Sequence, residues 1–212
     1  MARLDPRSLR VYVVTSNGLA PGRDHRSVAH AALEGGADAV QLRAPELSDD
    51  ELFALADDLA ARCRRAGVVF VVNDRVDVAA AAGAGAHVGQ GDDPEHARAA
   101  LGDRPLGISV RTPTEAVAAE RAGADYLGLT VWATPTKPEA EPMGLEGLRT
   151  VVRAVSLPVV AIGGIDATNA PAVMETGAAG IAVVSAVGAA ADPVAATRRL
   201  VAVVKGERVG ER

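Results

Sequence analysis

The chain contains very little of several residue types. Among its 212 residues there is one cysteine, and aromatic residues make up only 2%. A single cysteine excludes an internal disulfide and is typical of a protein of the reducing cytoplasm. With so few aromatic side chains, the core has to be built from Val, Leu, Ile and Ala. Such residues suit parallel strands that are closely packed beneath helices.

An excess of basic charge and a long hydrophobic run are also missing. The formal net charge is −5, which disfavours a surface for nucleic acid or anionic membranes. The longest uncharged run, residues 176–191, has 16 residues and is interrupted by glycines, so it is too short for a transmembrane helix. The first ten residues do not resemble a signal peptide. We therefore expect a cytoplasmic protein that acts on small molecules, either as a monomer or as a homo-oligomer.

Short β-branched segments alternate with alanine-rich segments along the chain. We predict eight strands, at residues 11–15, 39–43, 68–72, 86–88, 106–109, 126–129, 159–162 and 180–184. Helices are predicted at about 25–35, 48–66, 75–83, 94–101, 113–122, 145–155, 168–176 and 193–204. Four helix-to-strand joints share one plan, in which a glycine just past the helix supplies a left-handed cap and a buried strand follows.

Eight strand–helix units with short connections predict an all-parallel sheet that closes into a (β/α)₈ TIM barrel, one domain spanning residues 1–212. An open doubly wound sheet is the alternative, but the G-x-G-x-x-G motif that would favour it is absent. Helix starts are predicted at Asp93-Pro94 and at a capping box formed by Thr112 and Glu115. The one long connection, residues 130–144, contains three prolines, and loops of this length usually carry function.

Polar residues follow nearly every predicted strand, where the active sites of such barrels lie. Asp74 and Asp92 follow adjacent strands, and two carboxylates there suit Mg²⁺, which completes its shell with phosphate and water. The alternative is that both are helix caps, a role that Asp93 fills better than Asp92 because it precedes a proline.

Two cationic positions predict an anionic ligand. Gln41 and Arg43 alternate on one strand and point to one face, where a guanidinium group matches phosphate; an internal salt bridge is the alternative for the arginine. Of 22 basic residues only Lys137 and Lys205 are lysines. Lys137 lies in the long connection beside Thr134 and Thr136, so it is either a phosphate contact or a solvated loop residue.

The last two predicted strands mark the usual phosphate site of these barrels. Gly163-Gly164 follows the seventh strand and Val184-Ser185 follows the eighth. A tight turn is the alternative for the two glycines. None of the four histidines has metal-ligand spacing, and we interpret all four as structural or exposed.

Taken together, nine short strings resemble the thiamine phosphate synthase family, in the family's order and over nearly the whole chain. They are YVVT at 12–15, VQLR at 40–43, VNDRVD at 72–77, HVGQGD at 87–92, GISV at 107–110, ADYLG at 124–128, TPTK at 134–137, GLEGL at 144–148 and IGGI at 162–165. No single string is specific, but the ordered set is. The resemblance implies a (β/α)₈ barrel and a transferase that joins hydroxymethylpyrimidine pyrophosphate to a thiazole phosphate and releases pyrophosphate.

The resemblance also implies roles for individual residues. The pyrimidine pyrophosphate would be held by Gln41, Arg43, Asn73, Ser109 and Lys137, and Mg²⁺ by Asp74 and Asp92. The thiazole phosphate would be held by Thr134, Thr136, Gly164, Val184 and Ser185. The implied chemistry is dissociative, with a thiazole nitrogen capturing a pyrimidine methylene cation. The catalytic roles fall to Lys137, Arg43 and Ser109.

Three departures from the family pattern keep other functions open. Pro45 stands where the pattern has a lysine, Ser16 where it has an aspartate, and residues 129–133 lack its Gly-Pro pair. One alternative is a related thiazole tautomerase, which the retained aspartates and the TPTK string disfavour. The other is a non-catalytic protein that binds a phosphorylated ligand.

Overall fold

The protein is a closed barrel of eight parallel strands, which confirms the predicted fold class. The computed structural model describes residues 4–89, 91–134 and 141–206. Each strand pairs with the next in the chain, and the last pairs with the first. The strands are β1 (Val11–Val14), β2 (Ala39–Leu42), β3 (Val69–Asn73), β4 (Gly85–Val88), β5 (Leu106–Ser109), β6 (Tyr126–Thr130), β7 (Val159–Ile162) and β8 (Gly180–Val183).

Helices follow the strands around the barrel. They are α1 (His25–Glu34), α2 (Asp49–Ala66), α3 (Val76–Ala81), α4 (Pro94–Leu101), α5 (Pro113–Arg121), α6 (Gly144–Ala154), α7 (Ala170–Met174), α8 (Ser185–Gly188) and α9 (Pro193–Lys205). A 3₁₀ helix, Pro6–Leu9, precedes β1. We did not predict that helix or α8, because four residues are too few to show a helical period. Among the described residues, no helix is long and apolar enough to cross a membrane.

The strands separate two apolar regions. Side chains on one face of each strand, such as Val13, Val40 and Val72, belong to the large core between sheet and helices. Side chains on the other face form a smaller cluster that includes Tyr12, Tyr126 and Val160. Because strand residues alternate between faces, the smaller cluster fills the barrel interior. The cavity described below lies above this cluster.

Local sequence signals set the ends of the helices. Asp93 caps α4 as predicted, accepting hydrogen bonds from the backbone N–H groups of Glu95 and His96. At α5, Thr112 accepts from the N–H of Glu115, but the Glu115 carboxylate accepts from the N–H of Arg111 at 2.7 Å. The predicted capping box is therefore wrong in one of its two bonds. The glycines of the four repeated joints have positive φ as predicted: Gly36, Gly83, Gly123 and Gly177.

Candidate active site

One cavity of about 330 Å³ lies where the strands end and the following loops begin. Its volume is within the usual range for small-molecule sites. Eight of the ten residues predicted to bind substrate line this cavity: Gln41, Arg43, Asn73, Ser109, Thr134, Gly164, Val184 and Ser185. The other two, Thr136 and Lys137, lie outside the described residues. The structure thus brings these eight residues, from six different strand ends, to one cavity.

The floor of the cavity is a chain of hydrogen bonds across the barrel. The Gln41 amide donates to the Tyr12 hydroxyl at 2.9 Å, and the Tyr12 and Tyr126 hydroxyls are 2.9 Å apart. His87 joins the next two members, with Nδ1 3.1 Å from the Tyr126 hydroxyl and Nε2 3.0 Å from Ser109 Oγ. Gln41 and Ser109, both predicted site residues, are thus held at the two ends of one network.

The two tyrosines stay neutral in this floor. Burial raises the pKa of Tyr12 and of Tyr126 well above the ordinary value for a phenol. Both rings are nearly inaccessible to solvent, so their hydroxyls can be satisfied only by one another and by their polar neighbours. The floor therefore offers neutral hydrogen-bonding groups rather than charge, which suits an uncharged polar ring.

Sequence reasoning missed the role of His87. It was interpreted as structural or exposed, yet its side chain lines the cavity together with Asn73, its register partner on β3. The sequence signal that could have shown this role is the alternation of side chains along a strand. His87 lies two residues before Gly89, so both point to the same face, and both line the cavity. The tyrosines could have been found in the same way, because Tyr126 alternates with the cavity residues Gly128 and Thr130.

Arg43 is placed to meet an anion. It lies just beyond the end of β2, is only partly exposed, and lines the cavity. Within residues 4–89, 91–134 and 141–206, its guanidinium group makes no ion pair or hydrogen bond; the bond from Arg43 uses its backbone N–H. The alternative of an internal salt bridge therefore has no support among the described residues. A partly buried guanidinium group that makes no ion pair among the described residues has the chemistry that suits a phosphate.

Asp74 has an unusual backbone that fixes its carboxylate at the end of β3. Its φ of 61° makes it the one described residue other than glycine with a positive φ. Its backbone N–H donates to the carbonyl oxygen of His87 at 2.9 Å, and its Oδ2 accepts from Asn73 Nδ2 at 2.5 Å. Arg75, not Asp74, is the N-cap of α3, so Asp74 is not a helix cap. Left-handed residues other than glycine often mark functional sites.

Asp92 belongs to the turn that follows β4. Its Oδ2 accepts the backbone N–H of Gly89 at 2.7 Å, while the neighbouring Asp93 caps α4. Asp92 is therefore not the helix cap, as predicted. Neither Asp92 nor Asp74 lines the cavity itself; they lie next to the lining residues Gly89 and Asn73.

The donor set at these two positions suits Mg²⁺ rather than a metal held by protein alone. Among the described residues, no group of three or more His, Cys, Asp or Glu side chains could hold a metal ion. Zinc sites need three or four such ligands, whereas Mg²⁺ is commonly bound by one or two carboxylates together with substrate phosphate and water. The two aspartates at adjacent strand ends fit the latter case.

The loop after β7 requires glycine. Gly163 and Gly164 have φ values of 100° and 64°, and a Cβ on Gly163 would lie 2.5 Å from the carbonyl oxygen of Trp132. Asn169 Nδ2 donates to the Gly164 carbonyl oxygen at 2.9 Å and fixes the turn. The tight turn is thus real, and the same two glycines also line the cavity with Val184 and Ser185. The two interpretations of Gly163-Gly164 are compatible.

Two of the three departures from the family pattern meet at one place. Ser16 and Pro45 line a second groove, which is open and adjoins the cavity, since Arg43 lines both. The proline that stands where the pattern has a lysine therefore neighbours the serine that stands where it has an aspartate.

Comparison with known proteins decides the family. Residues 11–187 match the sequence model of the thiamine monophosphate synthase family. This chain belongs to that family. Relatives include a thiamine-phosphate synthase of Chloroflexus aurantiacus, 53% identical over 199 residues, with 92% of each chain covered. Another, from Methanocella arvoryzae, is 45% identical and covers 95% of this chain and 98% of its own. The resemblance drawn from the short strings, and the synthase function it implied, are confirmed.

Solved structures agree with this membership. A thiamine phosphate pyrophosphorylase from Pyrococcus furiosus superposes with a TM-score of 0.88 at 40% identity, covering 97% of this chain and 99% of its own. A 3-hexulose-6-phosphate synthase from Salmonella typhimurium has a TM-score of 0.71 at 17% identity, covering 94% and 100%. The second likeness shows only that the barrel is shared. The family match thus rests on sequence and fold together.

Proposed function

We propose that this member of the thiamine monophosphate synthase family is a Mg²⁺-dependent transferase that joins hydroxymethylpyrimidine pyrophosphate to a thiazole phosphate and releases pyrophosphate. One observation carries the assignment to this cavity. A partly buried Arg43 without a described acidic partner lies on one side of it, and the glycine turn after β7 lies on another. The cavity can therefore hold two anionic groups at once.

The floor of the cavity would receive the pyrimidine ring. Gln41 and Ser109 hold fixed positions because Tyr12 and His87 hydrogen-bond to them. Neutral amide and hydroxyl groups in a buried site recognise the polar edge of an uncharged ring without a counter-ion. The ring's methylene carbon would then point upward, toward the loops.

The pyrophosphate would lie against the ends of β2 and β3. Arg43 and Asn73 line this side, and Asp74 and Asp92 would hold Mg²⁺ next to them. When bound, Mg²⁺ neutralises part of the charge that the pyrophosphate gains as its C–O bond breaks. Lys137 is proposed to add a second cation from the long loop. These charges stabilise the leaving group more than the intact substrate, so they lower the barrier rather than merely tightening binding.

The thiazole phosphate would lie on the other side, against the loops that follow β6, β7 and β8. Thr134, Gly164, Val184 and Ser185 line this wall, and Thr136 is proposed to join them. Holding the phosphate there places the thiazole nitrogen opposite the departing pyrophosphate. The C–O bond would break first, leaving pyrophosphate and a pyrimidine methylene cation, and the nitrogen lone pair would then form the new bond to that carbon. Proximity would supply much of the rate. No protein nucleophile is needed.

The cytoplasm is the proposed location, since the one cysteine, Cys63, is a buried free thiol. The proposed partners are small phosphorylated molecules. A formal net charge of −5 disfavours nucleic acid as a further partner.

Product analysis with variants tests the assignment. The purified protein is mixed with both substrates and Mg²⁺, and thiamine phosphate is quantified. Arg43→Gln should lower kcat/KM for the pyrimidine pyrophosphate by roughly 10²-fold, because a charge-assisted phosphate contact is lost. Arg75→Gln is the matched control, since Arg75 is paired with Asp49 and does not line the cavity. Saturable binding of both substrates without product would indicate the non-catalytic alternative.

A further inference from the structure

A chain of hydrogen bonds links β1, α1 and the segment after β2 beside the cavity. Thr15 follows β1, and its Oγ1 lies 2.9 Å from Nδ1 of His25, the first residue of α1. Nε2 of His25 lies 2.7 Å from Oε1 of Glu46. The backbone N–H of Arg43 donates to the same Thr15 hydroxyl at 3.3 Å. We name this chain of Thr15, His25 and Glu46 the His25 bridge.

The bridge holds both ends of the segment 43–46. Arg43 is fixed at its backbone through Thr15, and Glu46 is fixed at its carboxylate by His25. Thr15 is fully buried and His25 is 4% exposed, so their polar atoms have little access to water. Buried polar groups that satisfy one another rigidify the backbone to which they are attached. Ala44 and Pro45 lie between the two anchors.

One assignment of protons satisfies every hydrogen bond of the bridge. Thr15 Oγ1 accepts from the Arg43 N–H, so its hydroxyl proton can be donated to His25 Nδ1. His25 is then the tautomer protonated on Nε2, and it donates to the Glu46 carboxylate. Partial burial, the largest single effect, raises the pKa of the Glu46 carboxyl, but the hydrogen bonds from His25, from its own backbone and from Asn17, with the charge interaction with His25, together lower it below the ordinary value. Asn17 Nδ2 also donates to Glu46 Oε1, at 3.4 Å.

We propose that His25 and Glu46 are positioning residues for Arg43, which they hold in the orientation that binds the pyrophosphate group. The proposal depends on the function proposed above, in which Arg43 is a pyrophosphate ligand. Arg43 is the only cation in the segment 43–47, because Pro45 has replaced the lysine of the family pattern. Its placement therefore has to be set by the backbone, and the bridge supplies that constraint.

Glu46 offers the cleanest variant, since its side chain is 44% exposed and its removal leaves the buried part of the bridge in place. Glu46→Ala should weaken binding of Mg²⁺-pyrophosphate, measured by calorimetry, by roughly fivefold to tenfold, the value of about one ordinary hydrogen bond. The KM for the pyrimidine pyrophosphate should rise similarly, with the KM for the thiazole phosphate unchanged. Glu46→Gln retains a carbonyl acceptor for His25 and should recover most of the affinity.

Two further variants provide the reference affinity and the control. Arg43→Gln gives the affinity that remains without the guanidinium group. His30→Gln is the control on the same helix, because His30 Nε2 has no hydrogen-bond partner among the described residues and His30 lines neither the cavity nor the groove. It should leave both KM values and pyrophosphate affinity at the parent's level.

The outcomes separate this inference from the proposed function. The bridge is supported when Glu46→Ala loses pyrophosphate affinity selectively and Glu46→Gln recovers it. It is overturned when Glu46→Ala binds pyrophosphate as the parent does, when both KM values rise together, or when Arg43→Gln has no effect on pyrophosphate affinity. A parent protein that binds pyrophosphate through Arg43 but forms no thiamine phosphate would refute the proposed function and leave the binding test of the bridge intact.

Discussion

At the scale of single residues, Asp74 is the most informative position. Its carboxylate is exposed and its backbone is left-handed, a conformation that costs an L-residue roughly 1–2 kcal/mol. A hydrogen bond from its N–H to the His87 carbonyl holds this backbone, and the conformation fixes the carboxylate beside Asn73. The account therefore predicts that the charge at this position serves the reaction and not the fold.

Asp74→Asn should preserve the thermal midpoint, because asparagine tolerates the left-handed region, and should lower the Mg²⁺-dependent rate by roughly 10²–10³-fold. Asp74→Gly should melt at or above the parent temperature with the same loss of rate. Asp77→Asn is the control, because Asp77 is a nearby exposed carboxylate in the first turn of α3. A stable Asp74→Asn enzyme with the parent's Mg²⁺ dependence would show that the carboxylate has no part in metal binding.

Tyr126 gives a prediction about pH. Burial raises the pKa of its phenol in the folded state, whereas the unfolded chain ionises near pH 10. The stability that the neutral Tyr126 contributes is therefore fully present below pH 10 and is lost as pH rises further. Tyr126→Phe should lower the free energy of unfolding at pH 8 by about 1–3 kcal/mol, since Tyr12 and His87 each lose a partner. Above pH 10 its stability should decline less steeply than the parent's.

Denaturant titrations at intervals from pH 8 to pH 11.5 measure that difference in slope. Parallel curves for the two proteins would mean that the Tyr126 hydroxyl is accessible to solvent and can ionise in place. The buried floor described here would then be wrong.

At the scale of elements, the strand ends carry the site, and the loops between them differ in how tightly they are constrained. The turn after β7 allows no side chain at its first glycine, since a Cβ there would lie 2.5 Å from the Trp132 carbonyl oxygen. At Gly164 the nearest atom would be Trp132 Cβ at 3.4 Å, which is an ordinary contact. Two adjacent positions in one loop thus face different constraints.

Gly163→Ala should destabilise the protein by about 2–4 kcal/mol, through backbone strain together with displacement of Trp132. Gly164→Ala carries the strain alone and should cost about 1–2 kcal/mol. Unfolding in urea measures both. Equal losses would mean that the Trp132 backbone yields freely, and the turn would not be a rigid wall of the cavity.

For the segment after β2, we predict a substitution that increases the affinity for ligand. Pro45→Lys restores the cation of the family pattern beside Arg43, in the groove that adjoins the cavity. A charge-assisted contact is worth about 1.5–3 kcal/mol, so Mg²⁺-pyrophosphate should bind roughly tenfold tighter or more. Calorimetry on the parent, Pro45→Lys and Pro45→Ala separates added charge from relief of the proline constraint. An affinity that rises equally in both variants would attribute the effect to the backbone.

At the scale of the whole molecule, the barrel and the location of its site follow from the sequence because both depend on repeated local signals. Glycine after a helix, β-branched strands and polar residues at strand ends recur around the barrel, so an error at one boundary does not alter the predicted topology. The contacts within the site could not be predicted in this way. His87 and His25 were both interpreted as structural or exposed, since a histidine in a strand or helix shows its partners only when distant segments meet.

The same reason explains the unpredicted geometry of Asp74. Its left-handed backbone is set by a hydrogen bond to the His87 carbonyl of a neighbouring strand, which no local pattern encodes. The absence of a described acidic partner for Arg43 is likewise a property of the assembled barrel. Long-range contacts therefore decide what the individual site residues do, while local patterns decide where they lie.

The most direct test of the central claim is a stoichiometric assay of the purified parent protein at varied Mg²⁺ concentration. The account predicts that thiamine phosphate and pyrophosphate form in equal amounts, only when both substrates are present, and that chelation of Mg²⁺ abolishes both products until the ion is restored. Pyrophosphate release without thiamine phosphate, or full product formation in excess chelator, would contradict the account.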